Sequence, residues 1–386
     1  MDATKGNIYS ILNGNKQFLI PVYQRYYSWD IEQCKRLWND IVDMQKKNKQ
    51  GHFVGSIVNI AEQAMPTGVQ KYMIIDGQQR MTTLTLLLIA LRDYSIDHPK
   101  DTSINFLRID NMLLKNEYEN GDERYKLLLT ENDRDILINL IERKPISENT
   151  VSRLLTNYSF FVEQIEKNEL MPAEIYESIG KLQIVNITLD RAVDDAQAIF
   201  ESLNSTGKEL SESDLIRNYI LMGLENNEQR YIYEHFWRPM ELMFDYEKQG
   251  TIMDKFFRDY LTMKLIRIPK MDKVYEEFKL YHINCEFSSV ADLCEDLLKY
   301  AKYYTDMVFV RNSNHEIKNL YADVKDLRME VAFPFLLKVH NDCSEKVITE
   351  ENLIEILKIC ISYVFRRSIC DIPTNSLNKT FATLRN

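Results

Sequence analysis

Asp76, Gly77, Gln78, Gln79 and Arg80 place a carboxylate, a glycine, two amides and a guanidinium at five consecutive positions. A carboxylate can hold a divalent cation or orient water, a guanidinium can fork onto a phosphate, and a glycine lets backbone amides approach a ligand closely. The flanks say how the five are held. Tyr72 to Ile75 is rich in aromatic and β-branched residues, and Thr82 to Leu91 is apolar enough to be a buried helix, so the segment reads as strand, turn and helix. The turn then opens a helix N-terminus, where unpaired amides and the positive end of the dipole favour an anion. A phosphate site is the simplest reading. The alternative is that Asp76 caps the helix, Gly77 makes the turn and Arg80 pairs with an acid elsewhere. Against it stands the cost of burying four polar side chains that bind nothing.

Two further stretches carry similar chemistry. Tyr23-Gln24-Arg25-Tyr26-Tyr27 sets an amide and a guanidinium among phenol rings, which suits stacking on a base while holding a phosphate, or equally an arginine packed beneath tyrosines. Asn204-Ser205-Thr206-Gly207 is a polar loop after a helix. The chain restarts behind Ser211, with Asp214 at the third helical position and Leu210 and Leu215 placed as a staple. Taken alone, that loop is a well-capped helix joint.

Together the three stretches resemble a known family. Ile20-Pro21-Val22-Tyr23-Gln24-Arg25-Tyr26-Tyr27-Ser28-Trp29, then Asp76-Gly77-Gln78-Gln79-Arg80 with Thr82-Thr83-Leu84, then Phe200 to Leu210 with Asp214 to Asn218, are similar to the ordered motifs of the GmrSD-type N-terminal domain family, within the ParB/sulfiredoxin-like nucleotidases. The resemblance implies an NTP-binding, NTP-hydrolysing sensor module of a modification-dependent restriction or phage-defence system. It implies catalytic roles for Asp76, Gln78 and Arg80, with Glu201 as a secondary acid. Nucleotide contacts would come from Gln24, Arg25, Gly77, Gln79, Thr82, Thr83, Asn204 and Gly207. Asn204 and Gly207 enter the site only through the resemblance. Mg²⁺ is the implied cofactor, and modified DNA an implied partner. The other reading is a switch module that binds nucleotide or modified DNA and does no chemistry.

The elements that must position these residues predict an α+β fold, a mixed sheet with helices followed by a mostly α-helical domain, and the resemblance implies that the sheet is small and ParB/sulfiredoxin-like. The expected boundaries are 1–222, with a helical insertion at about 93–180, and 223–386. Gly6 to Leu19 reads as a short helix and strand, Asp30 with Gln33 as a capping box, 52–60 and 72–75 as a hairpin, and 184–189 as a strand that rejoins the sheet. Beyond Glu225 the apolar residues recur at helical spacing, among them Phe256, Phe257, Tyr260, Leu357, Val364 and Phe365, and these are assigned to core.

Bulk properties narrow the field further. The net charge of −10 is uneven: residues 1–60 carry a local +3, so the end bearing the tyrosine-rich motif would repel a polyphosphate least. Six scattered Cys without a C-x-x-C pair argue against a disulfide framework or a zinc site and fit a reducing cytoplasm. No apolar run is long enough to span a membrane. There is no P-loop, no G-x-G-x-x-G and no H-E-x-x-H. The six His are isolated, so no nuclease activity is expected of this chain and the nuclease is expected on a further domain or a separate subunit.

Overall fold

The computed structural model describes all residues except 63–67, 102, 191–192, 205–209, 245–248, 373–375 and 385–386, and the side chains of all described residues except 131–132, 203–204, 226 and 249–250. The chain divides into two compact units, 1–208 and 209–386. The expected boundary lay at 222, after the helix that opens the second unit.

The first unit is built on one mixed sheet. Its described strands are β1 (Asp2–Gly6), β2 (Lys16–Leu19), β3 (His52–Ala61), β4 (Gln70–Asp76), β5 (Leu127–Leu128) and β6 (Leu182–Leu189), in the order β1-β6-β3-β4-β2-β5. β3 and β4 form the expected antiparallel hairpin, and β6 returns to pair parallel with β3. The α+β expectation therefore holds. Two strands were not foreseen. β1 is polar and exposed along its length, so it carries no alternation to read, and β5 is two leucines inside the segment expected to be largely helical.

The helices are α1 (Ile8–Leu12), α2 (Ile31–Lys46), α3 (Gln78–Asp97), α4 (Phe106–Ile109), α5 (Glu131–Ile141), α6 (Arg153–Glu166), α7 (Pro172–Lys181) and α8 (Ala196–Asn204). The Asp30 carboxylate accepts from Glu32 N–H while the Gln33 side chain accepts from Asp30 N–H, which starts α2 as expected. Met81 and the run from Leu84 to Leu91 are buried on every side, which is why α3 shows no amphipathic period: it is the axle of the unit. α6, α4 and α7 pack around it, and α8 lies against β4.

Two register breaks lie beside the start of α3. Asp76 opposes Val58 and Ile74 opposes Asn59, leaving Ile75 as the extra residue on β4; on β3 the register skips between Phe53 and Gly55. Such bulges free backbone groups from the ladder and redirect side chains.

The second unit is helical: α9 (Glu212–Met222), α10 (Asn226–Ile232), α11 (Arg238–Met243), α12 (Gln249–Leu265), α13 (Val274–Asn284), α14 (Val290–Val308), α15 (His315–Asp326), α16 (Phe333–Ser344), α17 (Glu350–Ile369) and α18 (Leu377–Thr383). Its core is an aromatic cluster in which Phe256, Phe257 and Tyr260 of α12 meet Phe278 and Tyr281 of α13 and Tyr300 and Tyr304 of α14. Phe365 is a correction. It is 50% exposed, because Leu353, Leu357, Cys360 and Val364 take the inward positions of α17 and the next residue falls about 100° around the helix. The described cysteines are all free thiols.

Candidate functional site

Gly77 is the hinge of the site. It has φ +89°, and a Cβ there would lie 2.8 Å from the Ser56 carbonyl oxygen and 3.1 Å from Ile57 Cα. Only glycine lets β4 turn this sharply against β3 and begin α3. No side chain caps α3, and among the described residues no acceptor takes the first-turn amides of Gln78, Gln79 and Arg80. Gln78 and Gln79 are buried there, at 8% and 7% exposure. A helix end of this kind takes its acceptors from water or from a ligand, and an anion suits it.

Arg80 folds back across β3, where its guanidinium donates to the Ser56 carbonyl. It fits because residue 55 is glycine: with φ +110°, a Cβ there would lie 2.5–3.1 Å from the guanidinium atoms. Burial pushes the Arg80 pKa down, opposed by the Asp76 charge. Burial pushes the Asp76 carboxyl up, and the charges of Arg80 and Arg25 and the Gly77 N–H only partly offset it. Asp76, Arg80 and Arg25 thus share one electrostatic neighbourhood.

The two glutamines tie the tyrosine-rich motif onto the helix start. Gln78 donates to the Gln24 side-chain oxygen at 2.9 Å, and Gln24 donates at 2.9 Å to the Ile75 carbonyl, the residue released by the bulge. Gln79 clamps the following loop: its oxygen accepts from Ser28 N–H at 2.7 Å and Trp29 N–H at 3.3 Å, and its amide donates to the Tyr26 carbonyl at 3.2 Å. Thr83 accepts from or donates to the Tyr27 hydroxyl at 2.6 Å and donates back to the Gln79 carbonyl. Gln24, Arg25, Asp76, Gly77, Gln78, Gln79, Arg80, Thr82 and Thr83 are therefore brought together, with Gln79 and Thr83 engaged in holding the loop.

A small cleft opens here, with room inside of about 10 Å³, lined by Arg25, Tyr26, Gln78, Gln79, Thr82 and Asp133 among others. That is the room of about one water molecule, far below the usual range of small-molecule pockets, so a nucleotide would lie across its mouth rather than inside it.

The insertion forms one wall of this cleft, which the sequence reading missed. Asp133 of α5 accepts from Tyr27 N–H at 2.8 Å, Asn157 of α6 donates to the Tyr27 hydroxyl at 2.9 Å and the Trp29 carbonyl at 3.0 Å, and Arg153 donates to the Ser28 carbonyl at 2.9 Å. Single polar residues on helices more than a hundred residues from the motif they touch leave no local signature. Thr130-x-x-Asp133 does match a capping-box pattern, but Thr130 makes no side-chain cap and Asp133 turns to the loop.

The third motif is only partly visible. Gly207 and the Asn204 side chain lie outside the described residues. Glu201 is half-buried on α8 and accepts from Gln197 at 2.9 Å. In the second unit, Ser211 and Asp214 form the expected capping box, and buried Arg217 pairs with Asp214 at 2.8 Å and Glu241 at 2.6 Å. No group of three or more His, Cys, Asp or Glu side chains is placed to hold a metal among the described residues, and no described helix is long and apolar enough to cross a membrane. Mg²⁺ commonly binds one or two carboxylates and the substrate's phosphates, a mode that asks for no more than a single carboxylate such as that of Asp76.

No curated protein matches the chain closely enough to be informative. A family model does match: the N-terminal domain of the GmrSD restriction endonuclease, over residues 8–221. The match takes in all three motifs.

Proposed function

From membership of the chain in the GmrSD restriction endonuclease N-terminal domain family, which makes it a restriction-system module, we propose that the cleft at the start of α3 binds and hydrolyses a nucleoside triphosphate. The observation that carries this reading is the buried, uncapped N-terminus of α3 with two arginines beside it. The amides of Gln78, Gln79 and Arg80 receive phosphate oxygens, while Arg25 and Arg80 offset charge that builds on the phosphates in the transition state. Gln24 and Gln78 fix the mouth of the cleft, and Thr82 adds a hydroxyl to its wall. Asp76 is the residue that would hold Mg²⁺. When bound, the ion neutralises phosphate charge. Asn204, Gly207 and Glu201 complete the site from the third motif, as in the resemblance.

In this reading nucleotide turnover reports recognition of modified DNA to a nuclease carried on another domain or subunit, in the cytoplasm. The chain by itself leaves plasmid DNA intact, modified or not.

The test is phosphate release from each of the four NTPs with Mg²⁺ by the purified chain. Arg80→Ala should lower kcat by about 10² or more if Arg80 stabilises the transition state. Turnover equal to wild type would remove Arg80 from the chemistry. Saturable binding without release would favour the non-catalytic switch.

A further inference from the structure

Asp133 is the acid in the cleft that no motif includes. One carboxylate oxygen, Oδ2, is anchored by Tyr27 N–H at 2.8 Å, while Oδ1 makes no hydrogen bond among the described residues. The side chain lines the same cleft as Gln78, Gln79 and Thr82. No ion pair engages it among the described residues, whereas Asp76 sits in the field of Arg80 and Arg25. A carboxylate flanked by cations is a weak base; one held by a single amide with a free oxygen is a better one. Its position also lacks a structural purpose on its own helix, since the capping box that Thr130 and Asp133 could form is not made.

We propose that Asp133 is the general base of the NTPase reaction, a role that rests on the hydrolysis reading above. Asp133 Oδ1 takes a proton from the attacking water as the water oxygen bonds to the γ-phosphorus. The bond from that phosphorus to the β–γ bridging oxygen breaks, and the bridging oxygen leaves with its electron pair on the nucleoside diphosphate. Asp133 then releases its proton to solvent, so one water and one NTP give one diphosphate, one phosphate and one proton. Burial raises the Asp133 carboxyl above its ordinary value, with the Tyr27 N–H opposing, which brings its basicity nearer to that needed at neutral pH. The other titratable side chains lining the cleft are Arg25, Tyr26 and Tyr27. The insertion then contributes a reacting group as well as a wall.

Asp133→Asn separates anchoring from proton transfer, because the amide oxygen can still accept from Tyr27 N–H but cannot take a proton. Phosphate release and binding of a non-hydrolysable NTP analogue are measured on wild type, Asp133→Asn and Asp133→Glu. The expected result for Asn is a kcat loss of about 10² to 10⁴ with analogue affinity within a few-fold of wild type. Unchanged kcat overturns the proposal. If Asn loses turnover and analogue binding together, Glu decides: partial recovery of turnover supports the base, and no recovery assigns Asp133 to structure alone. A wild-type chain that hydrolyses none of the four NTPs instead defeats the hydrolysis reading, a result visible before any variant is compared.

Discussion

At residue 77 and at residue 55 the same amino acid solves two different problems. A Cβ on Gly77 would strike backbone, which cannot move, whereas a Cβ on Gly55 would meet the end of the Arg80 side chain, which can. Gly77→Ala is therefore expected to be the more destabilising, by roughly 1–3 kcal/mol, since positive φ and a backbone collision combine. Gly55→Ala should show its larger effect in nucleotide binding through displacement of Arg80. Thermal melts beside analogue titrations check the order; the reverse ranking would mean that Arg80 is the stiffer neighbour. Gln79 offers a second case. Its amide joins three backbone groups of the Tyr26–Trp29 loop, so Gln79→Ala should cost about 1–3 kcal/mol and make that loop more susceptible to protease. The strand–turn–helix reading anticipated Gly77 because a glycine between two apolar runs has few other uses. It could not anticipate the bonds of Gln79, because an amide's partner is set by tertiary structure and both glutamines look alike in the chain.

The insertion between α3 and β6 is fastened by buried charge. Arg92, 2% exposed, donates to Asp93 at 2.8 Å, Asp110 at 2.5 Å and the carbonyls of Leu140 and Ile141, while Lys115 joins Asp110 to Glu142. Those two carbonyls end α5, the helix that carries Asp133, so the clasp and the cleft wall are one body. Arg92→Met leaves Asp93 and Asp110 without their main partner and is expected to destabilise by about 3–5 kcal/mol. Hydrogen exchange should then rise first in α5 and α6; uniform loss of protection would show that the insertion has no independence. The helices here were legible from their apolar period, and the return of β6 to the sheet from its β-branched run. β5 was not, since two leucines carry no period. The charge clasp was not either, because opposite charges in sequence are far more often solvated than paired.

Across the molecule as a whole, two buried titratable groups of the helical unit pull stability in opposite directions with pH. Asp259, 4% exposed, is pushed by burial to about 7, against the nearby Arg258. The folded chain keeps a proton there that the unfolded chain has lost, so this group lowers stability as pH rises from about 4 to about 7. His340 is buried against Tyr321 and pushed down to about 4, so the unfolded chain gains a proton that the folded one refuses, and stability falls as pH drops from about 6.5 to about 4. Asp259→Asn should therefore melt higher relative to wild type at pH 8 than at pH 4. A difference independent of pH would show that Asp259 is not the group responsible. The strand order has a consequence in time. β1 near the N-terminus pairs with β6, Asp2 with Thr188, and β2 takes β4 on one side and β5 on the other. The sheet cannot close until the ribosome has released nearly two hundred residues, roughly 10–40 s of synthesis at typical rates. Between the synthesis of residue 80 and that of residue 133 the tyrosine-rich motif and the glycine elbow are already made but lack the wall bearing Asp133, so a nascent chain carries the residues proposed to bind phosphate before it carries the proposed base.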